Sequence, residues 1–355
     1  MLAVGGSLGA SWFFSEKLLR PNPSHKSGYN VEVLDFEADT VGLSTSVNAR
    51  RSGTYGLESA EGYGQVGEIL QDDAFRITRE FHPIWGAPEP GDARLDSYAF
   101  PHDPERAYGM AYEEIQVPSE LGELPTWHVK GTKDTWMIFI HGHGAERSEG
   151  LRILPTVVKQ GFPSLVITYR NDLGAPKSSD GLYHLGQTEW RDLEAAADYA
   201  LANGAEDLLL VGYSMGGAIA CTFLRESDRA GKVRGVILDA PALDWDATFT
   251  LGARQRSLPP GVAVPIIKTI SSFRTGIDWS ALDQIEHASE FVAPILLFHG
   301  DRDETVPAES SANFAEVRQD LVTLRRIPKA GHVESWNIDP EGYREAVGQF
   351  LLELS

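Results

Sequence analysis

Residues 207–224 read DLLLVGYSMGGAIACTFL, and the organisation of the whole chain can be worked outward from them. The continuous apolar run Leu208–Val211 suits a strand buried on both faces, and the apolar stretch from Ala218 reads as a helix. Between them lies Gly212-Tyr213-Ser214-Met215-Gly216, a G-x-S-x-G pentapeptide in strand–turn–helix context. A turn that holds its central residue in strained backbone geometry needs small neighbours, and Gly212, Gly216 and Gly217 supply them. Ser214 is therefore expected to project above the end of a sheet. The alternative, an inert serine in a glycine-rich turn, fits a lone pentapeptide better than one flanked in this way.

Further strands are expected at 136–140 (WMIFI), 164–168 (SLVIT), 234–238 (RGVIL) and 294–298 (PILLF). Segment 187–203 places Trp190, Leu193, Ala197 and Leu201 at helical spacing, and 340–354 does the same with Tyr343, Val347, Phe350 and Leu351. Alternating strands and helices from about residue 111 onward predict an α/β architecture with a mostly parallel, doubly wound sheet. The runs 112–117 and 124–130 alternate apolar and polar positions, as an antiparallel hairpin at the sheet's edge would.

Residues 1–110 differ in kind and are expected to form an N-terminal accessory region. Turn formers crowd the stretch from Ser52 to Gly64, and 64–70 and 74–80 suggest short strands around Asp72–Asp73. The Pro- and Gly-bearing stretch 82–106 reads as a connection to the catalytic unit at 111–355. Glu32, Asp35, Glu37 and Asp39, interleaved with apolar residues, read as a solvated strand edge. A gap at about 241–292 is too long for an ordinary crossover and predicts an inserted cap. Its Trp245, Phe249, Ile266 and Phe273 are candidates either to roof a substrate cleft or simply to pack on the core.

The chain has 355 residues, 31 Lys+Arg against 51 Asp+Glu, and a formal net charge of −20. Such a field repels phosphate backbones, so nucleic acid is not the expected partner. The single cysteine, Cys221, excludes an intrachain disulfide. Within the apolar helix it reads as a small hydrophobe, and a cytoplasmic address is compatible with its isolation. The apolar stretch Leu2–Phe14 is too short to span a bilayer and has no basic residue before it. A packed or peripheral helix is expected there. Contact with a membrane or partner through residues 1–20 is the alternative, as is a longer anchor of which this stretch is a part.

A serine hydroxyl at neutral pH needs a positioned base and a third group to orient that base. Two later segments offer them after strand ends, where open parallel sheets place their sites. One is Gly300-Asp301-Arg302-Asp303-Glu304-Thr305-Val306-Pro307; the other runs from LVTLRRI through Ala330-Gly331 to His332. Taken together, G-Y-S-M-G-G, H-G-D-R-D-E-T-V-P and A-G-H resemble the α/β-hydrolase superfamily over residues 111–355. That resemblance implies Ser214 as nucleophile, His332 as base and Asp303, three residues after Gly300, as the acid; Asp301 and Asp239 are the rival carboxylates. It also implies an oxyanion hole made by the backbone N–H groups of His143 and Met215, with His143 in the motif Phe139-Ile140-His141-Gly142-His143-Gly144. H-x-H with no third ligand nearby is a poor metal site; His141 is expected to brace the loop by hydrogen bonds.

The expected chemistry is hydrolysis of a small-molecule carboxylic ester or thioester with an apolar acyl or alkyl part through an acyl-enzyme, calling for no cofactor and no metal. An acyltransferase, a serine peptidase or amidase and a catalytically silent ligand-binding member are the alternatives. Oligomeric state is not legible.

Overall fold

The computed structural model describes residues 12–21 and 28–354. Helix α1 occupies residues 12–19. Six antiparallel strands follow: β1 (Val31–Glu37), β2 (Thr40–Ser44), β3 (Tyr55–Glu58), β4 (Gly62–Asp72), β5 (Arg76–Gly86) and β6 (Gly91–Asp96). They close into a barrel in the order β1-β2-β5-β4-β3-β6, with β6 returning to β1 through Val31–Ala93 and Val33–Gly91 pairing. Val33, Val41, Leu43, Leu57, Val66, Ile77 and Leu95 fill the interior, the inward half of the alternation that any barrel strand shows. Arg79 is also fully buried there and donates to the carbonyls of Arg51, Gly53 and Gly67, so that its charge is met by backbone oxygens.

Closure corrects two expectations. Residues 82–96 are not a connection, because β5 runs on to Gly86 and β6 completes the barrel. The acidic strand is not an edge either: β1 is paired on both sides, and Asp35 faces Arg76 at 2.6 Å.

Short helix α2 (Pro104–Tyr108) precedes the eight-stranded sheet: β7 (Glu113–Ser119), β8 (Gly122–Val129), β9 (Thr135–Ile140), β10 (Ser164–Ile167), β11 (Asp207–Tyr213), β12 (Val233–Asp239), β13 (Ile295–Gly300) and β14 (Val322–Ile327). The order is β14-β13-β12-β11-β9-β10-β8-β7, parallel except for the hairpin β7–β8 and the β8–β10 pairing at one edge. Each strand predicted for this sheet lies within two residues of its observed limits.

Helices α3 (Leu154–Lys159), α4 (Trp190–Ala202), α5 (Met215–Glu226), α6 (Trp245–Gln255), α7 (Pro260–Thr275), α8 (Ala308–Val317), α9 (Ser335–Ile338) and α10 (Pro340–Glu353) complete the fold. Leu193, Ala197, Ile219 and Phe223 build the core on one face of the sheet, and Leu154, Val157, Val347 and Leu351 that on the other. Strands sandwiched in this way expose only their ends, and the carboxyl ends carry the chemistry-bearing loops.

The segment 241–292 holds α6 and α7, which add to the α4–α5 side. Trp245 and Phe249 are buried in that core, and Phe249 meets Trp279 edge-on at 5.2 Å. Ile266 is half-buried, whereas Phe273 is 90% exposed. Helix α1 lies against both: Arg274 donates to Ser15 at 3.0 Å, and Arg256 stacks on Phe14. Most of the predicted N-terminal apolar segment lies outside the described residues. Among those described, no helix is long and apolar enough to cross a membrane.

Candidate active site

Ser214 sits between β11 and α5 with φ 49° and ψ −114°, a conformation that costs a non-glycine residue on the order of 1–3 kcal/mol. The sequence around it makes the turn possible by removing side chains. A Cβ at Gly216 would collide with the carbonyl oxygen of Ile140, and one at Gly212 would lie 2.8 Å from Gly217 Cα. The strain is held by the turn's own bonds: Ser214 N–H donates to Asp239 O at 3.0 Å, while Ser214 O accepts from Gly217 and Ala242.

Three side chains from three strand ends converge here. Ser214 Oγ lies 2.8 Å from His332 Nε2, and His332 Nδ1 lies 2.7 Å from Asp303 Oδ2. With Nδ1–H donated to the carboxylate, Nε2 is left with a lone pair to accept the serine proton. Asp303 Oδ1 accepts from the Thr305 and Val306 amides at 2.8 and 2.9 Å. Burial pushes the Asp303 carboxyl up, but hydrogen bonds from His299 and His332, the His332 charge and the Val306 amide together hold it well below the ordinary carboxylate range. It therefore stays ionised at neutral pH. Neither rival carboxylate is bonded to His332. Asp301 pairs with Arg326 at 2.6 Å, and Asp239 accepts from Ser335 at 2.9 Å.

His299 was not singled out in the sequence. It is fully buried, with Nε2 at 3.1 Å from both Asp303 Oδ2 and Val306 O, and Nδ1 at 2.7 Å from Ser311 Oγ. Two acceptors facing Nε2 require the proton there, so His299 donates to the same carboxylate oxygen that orients His332. Its signal in the sequence is only the position one residue before Gly300.

The loop after β9 lies against Ser214: a Cβ at Gly142 would be 3.2 Å from Ser214 Cβ. The Gly142 amide is taken by Glu149 Oε2 at 2.8 Å. The next residues, His143 and Gly144, line a cleft together with Ser214 and His332. Met215 opens α5, so its N–H is among those a helix cannot satisfy internally. The His143 side chain points elsewhere, donating through Nε2 to Leu18 O of α1 at 2.7 Å. His141 is buried with Nδ1 on Gly142 O and Nε2 on Asp172 Oδ2, both acceptors. Burial lowers its pKa but the Asp172 carboxylate outweighs that, so the net shift is upward, and the ring braces the loop through its two hydrogen bonds.

A second set of braces was also not legible. Buried Arg152 donates to Val333 O, beside His332, at 2.6 Å and faces the Glu149 carboxylate at 3.6 Å. One guanidinium thus ties the loop of His332 to that of Gly142. The barrel grips the same region: Thr54 N–H donates to Asn337 O at 2.7 Å, Asn337 Nδ2 donates to Thr54 O and Ser97 O, and Arg51 pairs with Glu334.

The cleft holding Ser214 and His332 has a volume of about 400 Å³ and is walled on one side by Arg51, Arg94, Asp96 and Tyr98 of the barrel region. A second hollow of about 330 Å³ shares Gly144 and Ala145 with it and is lined by Tyr112, Trp127, Leu173 and Tyr183. Trp245, Phe249, Ile266 and Phe273 line neither. The helices that carry them turn these residues toward the core or to solvent. Cys221 is buried behind Ser214, where burial pushes its thiol up to about 12. Among the described residues no cluster of three or more His, Cys, Asp or Glu side chains has the arrangement of a metal site.

A model of the alpha/beta hydrolase family matches residues 137–346, and a domain of unknown function (DUF8805) matches residues 32–96. The uncharacterized protein YfhR of Escherichia coli O157:H7 is 26% identical over 221 residues, 61% of this chain and 69% of its own. Among solved structures, the Pyrococcus furiosus esterase Pf2001 aligns with a TM-score of 0.58 at 22% identity, covering 72% of this chain and 94% of its own. Est1E from Butyrivibrio proteoclasticus with ferulic acid bound aligns with a TM-score of 0.52 at 20% identity, covering 68% and 98%. At these identities the two structures speak to the fold.

Proposed function

The chain belongs to the alpha/beta hydrolase family, and from that premise we propose that it hydrolyses carboxylic esters with Ser214 as nucleophile, His332 as general base and Asp303 as the carboxylate that orients and stabilises the imidazolium. The observation that carries this reading is the unbroken relay from Ser214 Oγ through the His332 ring to Asp303, at 2.8 and 2.7 Å, starting from a serine strained toward the cleft.

In the first step His332 Nε2 takes the Ser214 proton as Oγ attacks the ester carbonyl. The backbone N–H groups of His143 and Met215 receive the oxyanion, a role commonly worth about 2.7–4 kcal/mol per donor. His332 returns the proton to the departing alcohol, then activates water to release the acid. Asp303, held ionised, keeps Nδ1 as the protonated nitrogen throughout. Thioesters fit the same steps. The hollow formed by Tyr112, Trp127, Leu173 and Tyr183, with Asp103, Glu114, Arg147 and Asp172 among them, offers room for the second half of the substrate, taking the place first assigned to the aromatic residues of 241–292. Residues 241–292 then act as a packed cover on the core, with α1 seated on them.

Fluorophosphonate labelling and hydrolysis of p-nitrophenyl acetate test the reading. The wild-type chain is expected to label at Ser214 and turn over; Ser214→Ala is expected to do neither, with kcat lower by about 10⁴ or more. A wild-type chain that stays unlabelled, or a Ser214→Ala chain as active as wild type, overturns it.

A further inference from the structure

The barrel of residues 31–96 has no part in the proton relay, yet it forms a wall of the cleft in which Ser214 lies. Its contribution is polar. Arg94 and Asp96 come from β6, Tyr98 from just beyond it, and Arg51 from the loop between β2 and β3. Every guanidinium here is matched by a carboxylate: Arg94 donates through Nε and Nη2 to Glu58 and faces Asp96 at 3.6 Å, and Arg51 pairs with Glu334. The wall therefore has no surplus positive charge with which to select an anion.

It does have donors and acceptors side by side. A guanidinium carries five N–H groups, of which its carboxylate partner engages one or two here. Asp96 Oδ1 accepts from the Tyr63 hydroxyl and the Tyr98 and Ala99 amides, which leaves Oδ2, 3.2 Å from Tyr63 Oη and 3.6 Å from Arg94, as its less committed acceptor. A hydroxyl group is both donor and acceptor, so a fixed guanidinium–carboxylate pair can serve it from both sides. Such a surface discriminates strongly in favour of a ligand that carries hydroxyls, because an apolar ligand would bury those groups without partners. An alkyl chain laid along Arg94, Asp96 and Tyr98 would pay that desolvation and gain little.

We propose that the barrel is the substrate-selecting wall of the cleft, and that it receives a neutral, polyhydroxylated half of the ester while the hollow lined by Tyr112, Trp127 and Tyr183 receives the other half. This rests on the esterase reading of Ser214 and assigns to residues 31–96 a role in recognition. The two hollows meet at Gly144 and Ala145, on the loop that also carries His143, and Ser214 lies in the one walled by the barrel.

Two matched pairs of esters test it on the full chain. One pair varies the alcohol, 6-O-butyrylglucose against cyclohexylmethyl butyrate; the other varies the acyl group, ethyl gluconate against ethyl hexanoate. Hydrolysis is followed by pH-stat titration, with fluorophosphonate labelling of Ser214 run alongside. In at least one pair, kcat/KM for the hydroxylated ester is expected to exceed that of its apolar counterpart by about tenfold or more. Arg94→Leu is expected to reduce that ratio by about tenfold, chiefly through KM of the hydroxylated ester, and Tyr98→Phe by about threefold. Should Arg94→Leu fail to fold, judged by its melting transition, Tyr98→Phe carries the comparison. Ratios at or below one in both pairs, or a ratio unmoved by the folded variants, overturn the barrel's role while Ser214 still labels. A wild-type chain that neither labels nor hydrolyses any of the four overturns the esterase reading and this proposal with it.

Discussion

The barrel and the sheet are both β structures with filled interiors, but they present themselves to the cleft in opposite ways. The sheet is buried on both faces, so only its strand ends are free, and from three of those ends come Ser214, Asp303 and His332. The barrel has no free ends at the relay; it offers its outer surface and loops as the polar wall and as the clamp on Asn337 and Glu334. Convergent strand ends bring reactive groups together from distant parts of the chain, whereas a closed barrel presents a fixed surface beside them. On this comparison, proton transfer should fail when sheet residues are changed, and positioning should loosen when barrel contacts are.

The sharpest contrast lies among the carboxylates of the β13 loop. Asp303→Asn is expected to lower kcat by about 10³–10⁴, since an amide cannot keep the His332 proton on Nδ1. Asp301→Asn, which disturbs only a surface pair with Arg326, is expected to stay within about threefold. Steady-state kinetics on a p-nitrophenyl ester check both; reversed effects would make Asp301 the orienting acid.

His299→Phe comes next. It deletes a donor to a buried carboxylate, a bond worth about 1.5–3 kcal/mol, and is expected to reduce kcat by about 10–100-fold. Because Asp303 would then ionise less readily, the acid limb of the kcat/KM profile should move to higher pH. An unchanged profile with an unchanged kcat would make His299 a mere core residue.

A smaller effect is expected where the barrel touches the loop of His332. Asn337→Leu removes both donations to Thr54 and Ser97 carbonyls, leaving those oxygens unpaired at a cost of about 1–3 kcal/mol. Urea unfolding should register that loss, while kcat falls by about tenfold or less because the relay atoms themselves remain. A fall matching that of Asp303→Asn would break the division between the two regions.

The mildest prediction concerns Asp239, under the Ser214 turn. Burial pushes its carboxyl up to about 6, against the opposing effects of Arg152 and the Ser335 hydroxyl. The folded state therefore holds a proton that the unfolded chain, titrating near 3.9, has already lost. This contribution to native stability is complete below the unfolded value, falls as pH rises between the two, and is gone above about 6. Asp239→Asn should lack this component, so its stability relative to wild type should improve from pH 4.5 to 7.5 in urea titrations. A constant difference across that range would mean that Asp239 titrates alike in both states.

Much of this was visible in the sequence, for reasons that differ by element. The strand runs at 136–140, 207–211 and 294–298 announce themselves because burial on both faces demands unbroken apolar stretches, and the turn at Ser214 because only glycines tolerate its crowding. The barrel was read as scattered short strands with a trailing connection. Its β4–β5 pairing shifts register between Val66 and Ile69 and again before Gln71, which breaks the alternation that marks a strand, and the β6–β1 closure joins residues some sixty positions apart. The aromatic residues of 241–292 marked an inserted segment but not which of its faces would meet the core. Arg152, Glu149 and His299 gave no pattern, since each acts by meeting a partner loop.

Local chemistry written in the chain, glycines around a strained serine, an aspartate three residues after a glycine, a histidine beyond the last strand, was enough to set the architecture of the sheet and the candidates for proton transfer. Tertiary structure alone decided that His299 shares the Asp303 carboxylate and that the wall opposite Ser214 is a polar barrel instead of the aromatic insertion. The physical reason is range: backbone propensity and apolar periodicity act over a few residues and can be read in order, whereas hydrogen bonds and burial join groups that only the closed fold brings within 3 Å or so of one another.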